Sequence, residues 1–327
     1  MPAPSMDKRL GPFPASDSPL MRRVRIHQAW YRLEVLGLEE YGLLATTGTP
    51  CGSVLPVEAA RRGLNFESSA AKAAYQERRG NGWGVDPVRC TAYMTSSQTL
   101  TFNMFADLVL RPVECAQLMN HLLARSDLKE LAGAYFEYSA RTSPYGLGDK
   151  TLIDLLLRFK RRNGGEAVVA VETKLADRFS TRVTKASGSG GYAALSDMKP
   201  VWIDLEAALK DPNTRQLARC HALATSVQYG LEPTAARPAS SLVILLSGDS
   251  VNQAKIQKYE KMVSDKSLVR WVEWPDYIDG LAAVGIASAD RLRKRYTDLR
   301  MSDHCVHGST EATTRLRGGS EGDVPCH

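Results

Sequence analysis

Two apolar runs separated by an Asn-Gly pair constrain the fold more than any other part of this 327-residue chain. They occupy residues 151–175, which read "TLIDLLLRFKRRNGGEAVVAVETKL". Asn-Gly between apolar runs is a strong β-hairpin signal, because both residues tolerate the backbone angles of tight turns. The sequence therefore predicts two antiparallel strands joined by a short turn around Asn163.

The segments around the hairpin predict further helices and strands. Downstream we expect an amphipathic helix in "TRQLARCHALATSVQYG", a buried strand in "ASSLVILLSG", a helix in "VNQAKIQKYEKMVS" and a strand in "VRWVEWP". Upstream, a helix is expected from Met21 to Leu44, and "VECAQLMNHLLARSDLKELAGAYFEYSA" also reads as mostly helical. This order predicts an α/β domain with a mixed sheet.

Composition indicates one folded region between two loose ends. Residues 21–300 contain no evident linker, so we expect one domain there, with a helical N-terminal part. Residues 1–20 are rich in proline and serine and are expected to be flexible, and the polar stretch 303–327 is expected to be a disordered tail. The formal net charge of +6 is compatible with a polyanionic partner and equally with an ordinary basic protein.

Apolar runs are too short for a membrane protein. None approaches the ~20 residues that span a bilayer, and the start lacks the apolar core of a secretory signal. We therefore expect a cytoplasmic protein with no membrane partner.

Three charged side chains of the hairpin are predicted to lie together. Glu172 and Lys174 are two residues apart in one strand, so they project from the same face. A turn centred on Asn163 places Asp154 opposite Glu172, whereas a slip of one residue would move Asp154 to the other face.

Two opposed carboxylates repel each other unless a cation neutralises them. Hard oxygen ligands suit Mg²⁺, which can lower the pKa of a water and stabilise charge that develops on a phosphate. A neighbouring lysine could orient or deprotonate that water, or contact the phosphate. The residues therefore predict a metal-dependent phosphodiester-cleaving site. The plainer interpretation is an ion pair in which Lys174 neutralises two strand-end acids.

This pattern resembles the PD-(D/E)XK nuclease superfamily, with Asp154 in "TLIDLLL" and Glu172 and Lys174 in "AVVAVETKL". The upstream stretches "YMTSSQTLTFNMFADL" and "LNFESSAAKAAY" are similar to a bacterial group of restriction-endonuclease-like proteins within it. The resemblance covers roughly residues 60–280. It departs from the superfamily pattern at Ile153, which stands where the motif often has proline.

The resemblance implies a restriction-endonuclease-like mixed central sheet flanked by helices, with an N-terminal helical extension. It also implies DNA cleavage that depends on Mg²⁺, for which Mn²⁺ can substitute. Asp154, Glu172 and Lys174 would be catalytic, and Asp154, Glu172 and Thr173 would bind the metal. An oligomer is compatible with this reading, and a dimer is expected if the protein works like a restriction enzyme.

The resemblance also implies supporting residues on helices. Members often have a glutamate before the first motif, which falls at Glu137, with Glu130 as the alternative on the same predicted helix face. After the Glu-x-Lys motif, Gln216 is the expected catalytic helper and Arg219, three residues on, the expected nucleic-acid contact. All four also suit solvated helix positions.

Basic residues follow Lys174 closely and suit phosphate contacts, although such a run also suits a solvated surface. They are Arg178, Arg182 and Lys185. In "SSQTLTFNMF", Ser97, Gln98 and Asn103 could bond to a phosphate or base, or cap a helix and hold the domain together. The structural role is favoured.

Other classes of protein fit the sequence less well. The main alternative is a nuclease-fold protein that binds nucleic acid without cutting it, against which the intact Asp154, Glu172 and Lys174 argue. A nucleotide-binding loop in "SGSGG" lacks the following Lys-Ser/Thr. A serine hydrolase has no GxSxG motif to support it.

Overall fold

A computed structural model describes residues 6–139, 147–183, 190–198, 201–235 and 237–306. Its strands are β1 Leu128–Ser139, β2 Leu152–Arg161, β3 Glu166–Thr173, β4 Ser240–Leu245 and β5 Val269–Glu273. They form one sheet in the order β1-β2-β3-β4-β5. The first three strands are antiparallel, and β4 and β5 are added in parallel. The predicted mixed sheet is confirmed.

Helices precede the sheet and also connect its later strands. The helices before β1 are α1 Met6–Leu10, α2 Pro19–Trp30, α3 Val57–Arg62, α4 Ser69–Gly80, α5 Pro87–Ala92, α6 Ser97–Val109 and α7 Pro112–Leu122. Those after β3 are α8 Gly190–Met198, α9 Leu205–Lys210, α10 Arg215–Leu231, α11 Ser250–Glu260, α12 Trp274–Ala283 and α13 Ala289–Leu292. Serine caps begin three of them, because the hydroxyls of Ser18, Ser68 and Ser96 accept hydrogen bonds from the first turns of α2, α4 and α6.

The hairpin of β2 and β3 has the predicted register. Leu155 pairs with Val171, so the turn has the expected centre. Gly164 in the turn has φ 87°, a left-handed conformation that only glycine adopts without strain. Continuing the same register by one residue places Asp154 opposite Glu172.

Both faces of the sheet are covered, which explains why β3 is apolar along its length instead of alternating. One face packs under α4, α6, α7 and α12, and the other under α8 to α11. The first face carries Leu155, Leu157, Val169, Val171, Leu242 and Ile244. The second carries Leu156, Val168, Ala170, Val243 and Leu245.

The main difference from the sequence-based prediction is β1, because residues 128–139 were expected to continue a helix. Instead α7 ends at Leu122, and β1 pairs along β2, with register shifts near Glu130 and Gly133. Leucine, lysine, glutamate and alanine favour helix locally, but pairing with a buried strand overrides that preference. Similarly, the helix expected from Met21 to Leu44 is α2 followed by a π-helical turn that ends at Val35.

Part of the expected flexible start lies among the described residues, and its flexibility stays a prediction. Leu10 of α1 is only 3% exposed, and the guanidinium of Arg32 donates to the backbone oxygen of Arg9 at 2.7 Å. Leu10 and the backbone of Arg9 therefore contact the rest of the protein. Most of the expected disordered tail, residues 307–327, lies outside the described residues. That residues 21–300 form a single domain stays a prediction.

None of the described helices combines the length and the apolar character that crossing a bilayer requires.

Candidate active site

Three carboxylates form a row across the first three strands. The β1–β2 ladder pairs Phe136 with Leu155, so the next two positions, Glu137 and Asp154, are opposed. The β2–β3 ladder places Glu172 on the other side of Asp154. Hereafter these three acids are called the carboxylate row.

The carboxylate row is electrostatically strained. Glu137 and Glu172 are each 3% exposed, and Asp154 is half-buried. Burial and then the charge of Asp154 raise the pKa of Glu172 to about 7. Burial and the charges of Asp154 and Glu172 raise the pKa of Glu137 well above its usual range. Burial also raises the pKa of Asp154. The protein alone therefore favours keeping a proton on the row near neutral pH over ionising all three carboxylates.

Glu137 has two further unusual features. Its backbone φ is 47°, which is uncommon for any residue but glycine, and Arg78 braces this conformation by donating to its backbone oxygen at 2.9 Å. In the described part of the chain, its Oε1 is buried without a hydrogen-bond partner. Strain and unsatisfied polar atoms of this kind cluster at functional sites. Sequence reasoning named Glu137 but expected it on a helix.

Lys174 is the counter-charge of the row. Its Nζ lies 2.7 Å from Glu172 Oε1 and 3.4 Å from Asp177 Oδ2. Burial disfavours the charged ammonium, but the carboxylates outweigh burial and raise the pKa of Lys174 well above its ordinary value. The lysine is therefore a cation at neutral pH, as the ion-pair interpretation of the sequence expects. No sequence pattern indicated Asp177 as its second partner.

Thr173 holds Asp154 in place. Its backbone N–H and hydroxyl donate to Asp154 Oδ2 at 2.8 and 3.1 Å. The same hydroxyl is 2.7 Å from Thr101 Oγ1 of α6. The "SSQTLTFNMF" segment thus reaches the row through Thr101, which sequence reasoning missed.

The other polar residues of that segment mainly hold the domain together. Gln98 donates to the backbone oxygen of Gly84 at 2.9 Å, and its side chain is close enough to Glu137 to oppose the rise in the pKa of that acid. Asn103 donates to the Tyr296 hydroxyl at 2.7 Å. The structural role favoured from the sequence fits both sets of contacts.

Helix α10 begins beside the end of β3 and contacts Glu172. The Gln216 side chain donates to Glu172 Oε1, where the sequence expected a helper. The Cys220 thiol lies 3.8 Å from Glu172 Oε2. Cys220 is one turn after Gln216, so helical spacing was the signal that would have found it.

Two residues proposed from the sequence lie away from the row. Arg219 is buried and makes a two-pronged ion pair with Asp149, with 2.7 Å between Nε and Oδ2. It is therefore not available to a nucleic acid. Glu130 is 2.7 Å from Lys160 in a surface ion pair, which removes the alternative to Glu137.

Several basic side chains follow the end of β3, beyond Lys174. Arg178 and Arg182 are exposed as expected, whereas Lys185 lies outside the described residues. Burial, then the charge of Arg178, and more weakly that of Lys174, lower the pKa of Lys255 on α11. Lys255 therefore lies close to Arg178 and Lys174. No spacing in the sequence indicated that these three residues lie together.

Aromatic side chains line a cleft of about 490 Å³ on the other side of the row, next to Glu137. Trp83 and Tyr135 are 49% and 39% exposed there. The rings of Tyr135 and Tyr138 lie 5.7 Å apart. This cleft offers flat apolar surfaces within reach of the carboxylate row.

The donor set of the row fits a hard divalent cation. Its atoms are carboxylate oxygens, they are crowded enough to raise each other's pKa, and the Oε1 of Glu137 is unpaired. The described residues contain no group of three or more His, Cys, Asp or Glu set for one metal. Two carboxylates completed by backbone and water oxygens would match the way Mg²⁺ keeps part of its water shell.

Comparison with known proteins gives a family match. A family model described as the PD-(D/E)XK nuclease superfamily matches residues 15–298. The matched range contains all five strands and the whole carboxylate row, and it extends beyond the segments that carry the sequence motifs. No curated protein and no solved structure matches the chain.

Proposed function

Because the chain belongs to the PD-(D/E)XK nuclease superfamily, we propose that it is a Mg²⁺-dependent nuclease that hydrolyses phosphodiester bonds of DNA. The family expected from the hairpin motif is confirmed, and the mixed sheet with flanking helices is its restriction-endonuclease-like α/β fold. The observation that carries the proposal is the carboxylate row with Lys174 beside it.

Asp154 and Glu172 would hold the cation, with an oxygen of Thr173 as a further ligand. The ion would supply positive charge against the scissile phosphate and lower the pKa of a water. Mn²⁺ has the same preference for oxygen ligands and is expected to substitute. Burial and then the charge of Asp154 raise the pKa of Glu172, which supports this assignment because a cation would offset the repulsion between the two carboxylates.

The chain's own residues have distinct roles in this proposal. Lys174 stays protonated and stabilises negative charge that develops on the phosphate. Gln216 orients Glu172 through its amide. Glu137 would accept or donate a proton, and its unpaired oxygen and raised pKa support that role.

The surroundings of the row suit a nucleic acid. Arg178, Arg182 and Lys255 would contact backbone phosphates, which are bound mainly through lysine and arginine. Trp83 and Tyr135 present exposed rings on which bases can stack. One row per chain cuts one strand, so a dimer is expected if both strands of a duplex are cut together.

A substrate panel tests the proposal. The full chain is incubated with supercoiled plasmid, linear duplex, single-stranded DNA and RNA, each with Mg²⁺, Mn²⁺ or EDTA. We expect DNA to be cut with either metal and to stay intact in EDTA. DNA that is bound but not cut under any condition would instead favour the inactive nucleic-acid-binding alternative.

A further inference from the structure

A second large cavity lies outside the active site, in the helical N-terminal part. It has a volume of about 970 Å³, and α3, α4 and α5 contribute to its walls. Three of its apolar side chains, Leu43, Val57 and Val88, are 56%, 63% and 48% exposed. Apolar groups gathered around a concave surface mark binding sites more often than chance.

Polar groups of the cavity favour an anion. Lys72 and Arg79 line it together with Arg61. Among the described residues, neither Lys72 nor Arg79 has a carboxylate within ion-pair distance, and Lys72 reaches only the backbone oxygen of Arg62 at 3.1 Å. The hydroxyl of Tyr75, a residue that is 4% exposed, is buried without a hydrogen-bond partner in the described part of the chain.

The cavity also accounts for a sequence motif that the nuclease chemistry does not use. Phe66, Lys72 and Tyr75 of "LNFESSAAKAAY" all line it. The Phe66 and Tyr75 rings pack 5.0 Å apart. Asn65 anchors the segment by donating to the backbone oxygen of Cys90 at 2.8 Å. The wall is therefore fixed before any ligand arrives, which lowers the entropic cost of binding.

We propose that this cavity binds a small amphiphilic anion, with an apolar body and one carboxylate or phosphate group. The body packs on Phe66, Tyr75 and the exposed aliphatic side chains. The anionic group meets Lys72 and Arg79 at the rim, and the Tyr75 hydroxyl donates a hydrogen bond.

The cavity is connected to the carboxylate row through α4, so an occupant can affect catalysis. Tyr75 makes an edge contact with Phe102 at 6.0 Å, and Phe102 stacks on Phe136 at 4.8 Å. On the next turn of the same helix, Arg78 donates to the backbone of Glu137. This consequence, unlike the binding site itself, rests on the proposed nuclease function.

Gly80 gives a precise way to block the cavity. It lines the cavity at the end of α4, and a Cβ built on it meets nothing within 4 Å. Gly80→Ala is therefore accommodated without displacing the fold and serves as the matched control, and Gly80→Trp places a large side chain at the same point of the cavity wall. Both variants should melt at or above the wild-type temperature, because alanine and tryptophan suit a helix better than glycine does.

The probe for binding is 8-anilinonaphthalene-1-sulfonate, an apolar ring system with one anionic group. Titration of the full chain should give one saturable site. Gly80→Trp, and separately the double variant Lys72→Glu with Arg79→Glu, should weaken it about tenfold or more, while Gly80→Ala stays within about twofold. Absence of a saturable site, or equal affinity in Gly80→Trp and Gly80→Ala, would overturn the proposal.

Competition identifies the apolar body. Displacement of the probe by a nucleoside monophosphate assigns an aromatic ligand, and displacement by decanoate, but not by the neutral 1-decanol, assigns an acyl one. Displacement by neither anion would overturn the ligand class. A DNA cleavage rate that does not change at saturating competitor would overturn the link to Glu137, whereas the binding results do not depend on cleavage.

Discussion

Replacing Asp154 by asparagine should stabilise the metal-free protein at pH 8. Glu172 has a folded pKa of about 7 instead of 4.5. An acid whose pKa is higher in the folded state than in the unfolded state does not lower the free energy of unfolding at a pH below the unfolded-state value. The loss of stability begins near pH 4.5 and grows until the pH has risen through 7. The full shift corresponds to roughly 3 kcal/mol.

Asp154 is the second cause of that shift after burial, so neutralising it should recover on the order of 1–2 kcal/mol. Asparagine keeps an oxygen that can accept from the Thr173 N–H, which limits the loss of hydrogen bonding. For a chain of 327 residues, this gain in stability should raise the melting temperature by about 1.5–3 °C.

Differential scanning calorimetry in EDTA at pH 5 and pH 8 measures the effect. The gain in stability of Asp154→Asn should be present at pH 8 and nearly absent at pH 5. In a separate scan, Mg²⁺ should stabilise the wild type but not the variant. Glu130→Gln is the matched control, because it removes a carboxylate from an exposed ion pair on β1 that solvent screens, so little stability is lost with it. A variant no more stable than wild type at pH 8, or equally stabilised at both pH values, would refute the reasoning.

Three further predictions follow from the contacts around the row. Lys174→Met should lower stability by about 3–5 kcal/mol in chemical denaturation, because it leaves Glu172 buried without its cation, and adding Glu172→Gln should restore part of the loss. Arg178→Ala with Lys255→Ala should weaken DNA binding in EDTA and reduce the salt slope by about 2, as measured by fluorescence anisotropy. Arg219→Ala should leave that slope unchanged and reduce stability instead, since its partner is a buried carboxylate; the opposite pattern would place Arg219 at the nucleic acid.

The hairpin could be predicted from sequence because its determinants are local. Two apolar runs and a turn with Gly164 in a left-handed conformation specify the register. That register in turn fixes Asp154 opposite Glu172, and strand alternation places Lys174 with them. The side chains that matter most were therefore accessible from spacing alone.

The rest of the site depends on contacts between distant segments. Glu137 lies in a stretch of good helix formers, and only pairing with β2 makes that stretch a strand. Helical spacing related Arg219 to Gln216, but nothing in the sequence indicated Asp149 as its partner. Lys255 approaches Arg178 from another helix, so no local pattern could assign it.

The most direct test of the carboxylate row is single-turnover cleavage of plasmid DNA by the wild type, Glu172→Gln and Glu130→Gln in Mg²⁺ and in EDTA. Glutamine at 172 can still accept from Gln216 and Lys174, so it changes the charge of the row with little change in its shape. We predict metal-dependent cleavage by the wild type and by Glu130→Gln, and a loss of about 10³-fold or more in Glu172→Gln. Cleavage by Glu172→Gln at the wild-type rate, or cleavage by the wild type in EDTA, would contradict the account.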